Sequence, residues 1–251
     1  MTDFEYRIKE FQDMLDSHNK IVFFSGAGVS TESGIPDFRS KDGLYNNKDV
    51  QFERYQPEYL LSRECLYNHP SVFFEFYRQK LDVHDYKPNI THIKVAELEK
   101  KGKMLGVITQ NIDGLHQKAG SKVVYEIHGT TSRNYCHNCK KEYPEDYIFK
   151  YDGKIPYCED CGKRGIVRPA VTLYGEALPA DQFNNGLDIL HKADMLIIAG
   201  TSLVVYPAAG MINHFYGDKM VIINNQPTPF DGYADLLFRE NLGDVWKEIK
   251  I

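Results

Sequence analysis

Four of the five cysteines fall into two pairs, Cys136-His-Asn-Cys139 and Cys158-Glu-Asp-Cys161, with eighteen residues between them. Two C-x2-C knuckles present four soft thiolates, the donor set of a tetrahedral zinc ion. A closed shell of four sulfurs leaves no position for a substrate, so the expected metal is structural. His137 sits inside the first knuckle as a competing ligand, but four thiolates suffice. A redox disulfide is the weaker reading, because two paired knuckles are present rather than one. Cys65 stands alone and reads as buried filler.

Two further segments carry polar groups placed for chemistry. Gly26 to Ser40 reads GAGVSTESGIPDFRS directly after the apolar run Ile21 to Phe24. A buried strand running into a glycine turn lets backbone N–H groups approach a diphosphate. The spacing of Gly26, Gly28 and Gly34 is G-x-G-x5-G, not the usual dinucleotide G-x-G-x-x-G. The acid expected about twenty residues on has no clear counterpart; Asp42 and Asp49 lie near that distance without an obvious strand before them. The second segment, Thr109-Gln110-Asn111-Ile112-Asp113-Gly114-Leu115-His116, follows the run Met104 to Ile108. Polar side chains at the carboxyl end of a parallel strand point into the ligand crevice of an open sheet. Asn111 and Asp113 taken alone could equally cap the next helix. Beyond them, Glu126-Ile127-His128-Gly129 puts a histidine at a strand end, a candidate general base. The bland alternative for His128 is a satisfied structural histidine.

These groups need a scaffold, and the pattern supplies one. Phe4, Ile8, Phe11 and Leu15 form one apolar helix stripe. Strands are expected at Ile21–Phe24, Met104–Thr109, Val123–Ile127, Met195–Ala199 and Met220–Ile223. Helices are expected at Ser71–Leu81, Thr91–Lys101, Asp181–His191 and Pro207–Tyr216. Continuous apolar strand runs alternating with helices predict a mostly parallel sheet covered on both faces. Residues from about 41 to 89 are aromatic-rich and read as a mainly helical insertion. From about 129 to 168 polar and basic residues rise and four cysteines appear, which marks a small separate module.

The bulk properties agree with an enzyme-sized globule. The chain has 251 residues, 42% of them hydrophobic and 26% charged, with a formal net charge of −5. That balance gives no global attraction to nucleic acid or anionic membranes. Arg133, Lys140, Lys141, Lys163 and Arg164 are offset by Glu142, Glu145, Asp146, Glu159 and Asp160, so no clean basic face follows and direct nucleic-acid binding is not expected. No stretch approaches a membrane span, and the charged start MTDFEYRIKEFQDML lacks a secretory apolar region. A cytoplasmic, monomeric protein with no membrane partner is expected.

The string GAGVSTESGIPDFRS resembles the opening motif of the sirtuins, the NAD-dependent protein deacylases. TQNIDGLH matches their second motif, and His128-Gly129 lies between it and the cysteine module, where sirtuins carry their catalytic base. Thr172 to Pro179 (TLYGEALP) resembles the family's Val-x-Phe-Gly-Glu-x-Leu-Pro loop, and Gly200 to Pro207 (GTSLVVYP) its Gly-Thr/Ser-Ser-Leu loop. Asn224 ends a strand as the family's ribose-contacting Asn does, and Gly243-Asp244-Val245 stands where the family closes over the adenine.

The resemblance, in the family's motif order over almost the whole chain, implies a compact bacterial-type member. Its fold would be α/β: a Rossmann-like NAD-binding domain (1–40, 90–128 and 169–251) with a helical insertion (41–89) and a small inserted zinc-binding domain (129–168). It implies an NAD-dependent protein-lysine deacetylase that takes acetylated lysine-containing proteins or peptides and releases nicotinamide, free lysine and 2′-O-acyl-ADP-ribose. Zinc would sit on Cys136, Cys139, Cys158 and Cys161. Asn111 and Asp113 would hold the nicotinamide, with the Ile112 backbone; Phe38 would cover the reacting ribose and Arg39 would contact the phosphate region. Gln110 would orient the ribose hydroxyls, and His128 would take a proton through the ribose diol. Ala27, Gly28 and Thr31 would line the cofactor loop; Thr201, Ser202 and Asn224 the phosphate and adenosine side; Asp244 and Val245 the adenine. Thr172, Tyr174, Gly175, Glu176, Val204, Val205 and Tyr206 would sandwich the peptide as an added strand. Sirtuins that prefer succinyl or malonyl groups carry a Tyr-x-x-Arg pair on the insertion helix. Here the aligned positions hold Gln79 and Asp82, while Tyr77 and Lys80 are out of register, so acetyl is the expected acyl group. Transfer of ADP-ribose to protein, or a preference for longer acyl chains, is the rival reading.

Overall fold

The computed structural model describes residues 2–38, 43 and 52–251. Helix α1 (Asp3–Ser17) opens on a capping box, in which the Thr2 hydroxyl accepts from the Glu5 N–H and the Glu5 carboxylate from the Thr2 N–H. Its stripe faces inward: Phe11 and Leu15 are fully buried, and Phe4 and Ile8 pack beside them.

Ten strands follow in chain order among the described residues: β1 (Ile21–Ser25), β2 (Met104–Thr109), β3 (Val124–Glu126), β4 (Gly129–Cys136), β5 (Glu142–Tyr143), β6 (Tyr157–Cys158), β7 (Gly162–Val171), β8 (Met195–Ala199), β9 (Lys219–Ile223) and β10 (Leu236–Phe238). Six form a sheet of order β10-β9-β8-β1-β2-β3 in which every neighbouring pair is parallel. Strands β1 and β8 are buried along their whole length, since one apolar cluster covers each face of the sheet. A second, antiparallel sheet, β5-β4-β7-β6, carries the cysteines.

The aromatic-rich segment contributes helices α2 (Pro57–Leu60), α3 (Arg63–Asn68) and α4 (Pro70–Lys80). Their buried face (Leu66, Phe73, Phe74, Tyr77) shares one cluster with Ile148 of the cysteine module and with Val171 and Leu173. The two modules read separately along the chain are thus packed against each other. Arg78 Nε also donates to the Ile148 carbonyl at 2.9 Å. Cys65 is fully buried in this cluster, and burial pushes its thiol up to about 11.

One local expectation is corrected, and two elements are added to those read from the sequence. Pro207–Tyr216 is not an α-helix; Ala208–His214 is a 3-10 helix, with Gly210 N–H bonded three residues back to Pro207. Strand β10, only three residues long, is too short to stand out as a periodic run. Leu242–Glu248 is a further helix, and it is legible in the sequence: Leu242, Val245, Trp246 and Ile249 follow helical spacing and all are buried.

Helix α5 (Ile90–Lys100) and helix α6 (Leu115–Ala119) bring together two fully buried histidines, His92 and His116, with ring centroids 4.8 Å apart. Burial pushes the His92 imidazole down to about 4, and burial together with His92 holds His116 well below its ordinary value of 6.5. A histidine depressed in the folded state is protonated first in the unfolded chain, so its contribution to stability is whole above pH 6.5 and is lost as pH falls towards 4. From His92 alone, unfolding free energy should drop by about 1.5 kcal/mol between pH 7.5 and about 5.5. Urea titrations across that range, compared with His92→Gln, measure it; equal pH slopes in both proteins would refute the assignment.

Candidate active site

All six parallel strands end at one edge of the sheet, and the loop after each lines a single cleft of about 910 Å³. Ala27 and Gly28 follow β1, Gln110 to Ile112 follow β2, and His128 follows β3. Gly200 to Ser202 follow β8, Asn224 to Gln226 follow β9, and Glu240 to Leu242 follow β10. Strand β1 lies centrally: the chain builds β2 and β3 on one side of it and β8, β9 and β10 on the other. Loops leaving such a switch point diverge and open a crevice. Phe38, Leu61 and residues 171–176 close the remaining side.

The glycines serve loop crossing more than the sequence suggested. The Gly28 N–H donates to the Gly200 carbonyl at 2.8 Å, and the Gly26 N–H to Ala199 at 3.0 Å. A Cβ on Gly28 would lie 2.8 Å from the Gly200 Cα, and one on Gly26 2.6 Å from the Thr201 Cβ. The N–H groups of Gly26, Gly28, Val29 and Ser30 are therefore all spent on main-chain carbonyls. Gly200 has φ +59°, and its Cβ would meet the Val29 nitrogen at 2.4 Å. Gly200→Ala should destabilise the protein by about 2–4 kcal/mol; a urea midpoint matching the parent would refute this packing role.

Ser30, absent from the sequence-based site, is the hub behind the β2 loop. Its hydroxyl donates to Asp113 Oδ2 at 2.7 Å and accepts from Asn111 Nδ2 at 3.1 Å. The N-cap of α6 is Gly114; Asp113, one residue earlier, accepts the first helical N–H, that of Leu115, at Oδ1 at 2.9 Å. Its carboxyl is raised above the ordinary value by burial, against the hydrogen bonds from Ser30 and Leu115. Asp113 is placed behind Asn111 and not on the cleft wall. Beneath both, the Asn111 N–H donates to Thr109 Oγ1 at 3.0 Å and Ser25 Oγ donates to the same oxygen at 2.8 Å.

His128 lies 3.1 Å, Nδ1 to oxygen, from the Gln110 carbonyl. A carbonyl only accepts, so Nδ1 carries the proton and Nε2 of the neutral ring is the unprotonated nitrogen. The Gln110 main chain is itself held by the Ser25 carbonyl at 2.9 Å. The side chain of Gln110 faces the cleft, with Oε1 3.4 Å from Thr201 Oγ1.

On the side closed by residues 171–176, the expected Gly175-Glu176 strand is a turn. Tyr174 alone makes a bridge, its N–H to Leu61 at 3.0 Å and its carbonyl to the Arg63 N–H at 2.9 Å. Glu176 is held by Arg168 and by the Leu173 N–H. Burial would raise its carboxyl, but these hydrogen bonds outweigh burial and hold it below the usual range. Thr172, Tyr174, Gly175, Glu176, Val205 and Tyr206 all line the cleft, whereas Val204 does not. Nor do Asp244 and Val245: Val245 is buried in the core against the sheet, and Asp244 is exposed beside Lys247. Glu240, Asn241 and Leu242 form the wall there instead, and the Gly243 N–H donates to Glu32 Oε1 at 3.0 Å. Arg39 lies outside the described residues. Thr31, Phe38, Thr201, Ser202 and Asn224 reach the cleft as expected.

The four thiols of Cys136, Cys139, Cys158 and Cys161 lie within 4.8 Å of one another, a donor set that fits one tetrahedral zinc ion. Each knuckle turns on a positive-φ residue directly after its second cysteine, Lys140 and Gly162. Gly165 leaves room for the cluster, since a Cβ there would meet Cys136 Sγ at 2.8 Å. His137 is not among the clustered ligands; its Nδ1 accepts from the Ile166 N–H at 3.0 Å.

The sequence profile of the Sir2 family matches residues 26–207. The chain belongs to the Sir2 family. An NAD-dependent protein deacetylase of Clostridium acetobutylicum is 48% identical over 97% of this chain and 98% of its own. Solved Sir2 structures align over nearly the full length. One bound to an acetylated peptide has a TM-score of 0.83 at 37% identity, covering 96% of this chain and 95% of that one. One described as Sir2, p53 peptide and NAD⁺ has the same TM-score at 38% identity, with the same coverage of both chains. The Sir2 core seen here is thus the six-stranded parallel sheet, with the four-cysteine sheet packed beside it.

Proposed function

We propose that this Sir2 protein is an NAD-dependent protein-lysine deacetylase whose reaction takes place at His128. The observation that carries the reading is the placement of the His128 ring, oriented by its Nδ1 contact with the Gln110 carbonyl, in a cleft fed by all six strand ends. NAD⁺ is a substrate here, consumed with the acyl-lysine and water to give nicotinamide, lysine and 2′-O-acetyl-ADP-ribose. Asn111 and the Ile112 backbone hold the nicotinamide, and Asp113 acts through Ser30 to fix Asn111. Phe38 excludes water from the reacting ribose, Gln110 orients its hydroxyls and His128 Nε2 accepts the proton. Ala27, Gly28, Thr31, Thr201, Ser202 and Asn224 seat the rest of the dinucleotide; Arg39 adds a phosphate contact. The closing contacts at the adenine fall to Asn241 and Leu242.

No Lys or Arg is among the described residues that line the cleft. The described wall thus offers a carboxylated acyl group no counterion, and burying an unpaired carboxylate is costly. Tyr77 is 1% exposed and stacked on Phe73, away from the cleft. The acyl group is neutral, acetyl first. Mass spectrometry of an acetyl-lysine peptide with and without NAD⁺ should show NAD-dependent loss of acetyl and formation of 2′-O-acetyl-ADP-ribose. A succinyl peptide should be at least about 100-fold slower in kcat/KM. ADP-ribose accumulating on protein, with the acetyl group intact, would favour the transferase reading. The same reading makes residues 1–40, 90–128 and 169–251 the NAD-binding domain, 41–89 the helical insertion and 129–168 the zinc module. It also makes the enzyme a monomer of the cytoplasm; among the described residues no helix is long and apolar enough to cross a membrane.

A further inference from the structure

Arg168 sits on β7, is 4% exposed and does not line the cleft. Three of the four hydrogen bonds it donates go to the segment that does, and the fourth goes to Pro169 on its own strand. Nη1 bonds Glu176 Oε1 closely, Nη2 reaches Glu176 Oε2 at 2.9 Å and the Val171 carbonyl at 2.8 Å, and Nε reaches the Pro169 carbonyl at 3.3 Å. The guanidinium carbon lies 5.6 Å from the Tyr135 ring centroid on β4. Glu176 completes the frame by accepting from the Leu173 N–H at 2.9 Å. One buried fork therefore grips the wall segment at Val171, at Leu173 through the carboxylate, and at Glu176.

The arrangement leaves both oxygens of Glu176 hydrogen-bonded within the protein, so its carboxylate is fixed in place where it borders the cleft. A buried ion pair is poor value for stability alone, since desolvation offsets most of the attraction. What it does supply is direction: a planar guanidinium fixes two oxygens at once, which an ammonium does not. We propose that Arg168 is a positioning residue for the acyl-lysine side of the cleft, acting through Glu176 and the Val171 carbonyl without touching substrate. This rests on the deacetylase reading above. Its consequence is selective. Residues 171–176 border the cleft, and among the described residues Arg168 donates no hydrogen bond to the loops after β8, β9 and β10, so loosening its grip should weaken the acylated peptide and spare the dinucleotide.

Arg168→Lys keeps the charge but not the fork, and Glu176→Gln is isosteric and keeps one acceptor, so it reads the same contact should the first variant fold poorly. Steady-state kinetics with an acetyl-lysine peptide and NAD⁺, and fluorescence anisotropy with a labelled acetyl peptide, provide the readouts. In both variants peptide KM and Kd should rise roughly 10-fold or more, with the KM for NAD⁺ within about twofold of the parent. A merely structural role predicts lower melting temperatures with unchanged KM values, or both KM values rising together, and either result overturns the proposal. A parent protein that neither binds nor deacetylates the peptide sinks the deacetylase reading and this inference with it. A parent that does both, beside variants with unaltered peptide affinity, sinks this inference alone.

Discussion

His128→Ala should reduce turnover of an acetyl-lysine peptide by roughly 100- to 10,000-fold, the range in which a positioned general base contributes. The residual rate reflects substrates still held side by side in the cleft. The direction follows from one hydrogen bond: with Nδ1–H committed to the Gln110 carbonyl at 3.1 Å, Nε2 is the only basic nitrogen on the ring. No other histidine lines the cleft, since His92 and His116 are buried behind β2 and held neutral. Binding should change little, because the dinucleotide is held by loops after other strands. Rapid-quench assays with both substrates saturating separate the steps: first-turnover nicotinamide release should persist while lysine appearance collapses. Lysine production within tenfold of the parent would remove His128 from the role of base.

Zinc removal is expected to unfold the cysteine module while the parallel sheet persists. The buried apolar cluster of that module consists of Cys136, Tyr143, Cys158 and Val167, with Tyr147 and Cys161 packed beside it. Take away the cysteines and that cluster shrinks to Tyr143, Val167 and Tyr147, so the knuckles have too little core to hold without a staple, although Ile148 stays packed on the helical insertion. Binding of structural zinc by four thiolates is worth about 10 kcal/mol or more, so the metal is most of the module's stability. Strand β7 begins at Gly162, beside the knuckle, and ends at Val171 in the cleft wall. Loss of the metal should therefore reach the substrate side too. Metal analysis should find one zinc per chain. After chelation, or in Cys158→Ser, hydrogen exchange at residues 134–167 should accelerate at least about 100-fold, with β1 and β8 protected and deacetylation lost. Undisturbed protection of residues 134–167 in metal-free protein would overturn this account.

The readings that succeeded from the sequence rest on short-range spacing. Two residues between cysteines dictate a knuckle whatever surrounds it, and the runs Ile21–Phe24 and Met195–Ala199 must be covered on both faces because nothing polar interrupts them. Gln110, Asn111 and His128 were found because they directly follow strands, and the end of a parallel strand faces the crevice. The failures have equally local causes. Asp244 and Val245 are expected at the adenine but do not line the cleft, and Leu242, Val245, Trp246 and Ile249 mark a buried helix face. Glu176 reaches the cleft wall as expected, but the partner that fixes it, Arg168, was not read from the sequence.

Local order is legible in the residues because strand runs, helix stripes and cysteine knuckles depend on neighbours a few positions apart. The chain alone therefore specifies the zinc donors, most of the parallel sheet and the loops that carry the chemistry. Which groups meet across the fold is another matter. Ser30 joins Asn111 and Asp113 across more than eighty residues, Glu32 meets Gly243 across 211, and Arg7 of α1 grips Glu240 across 233. These pairings arise when the six strand ends converge on one edge, and no spacing in the chain encodes that distance. Folding likewise sets what Asp113 touches: one oxygen accepts the first N–H of α6 and the other holds Ser30 behind the cleft wall.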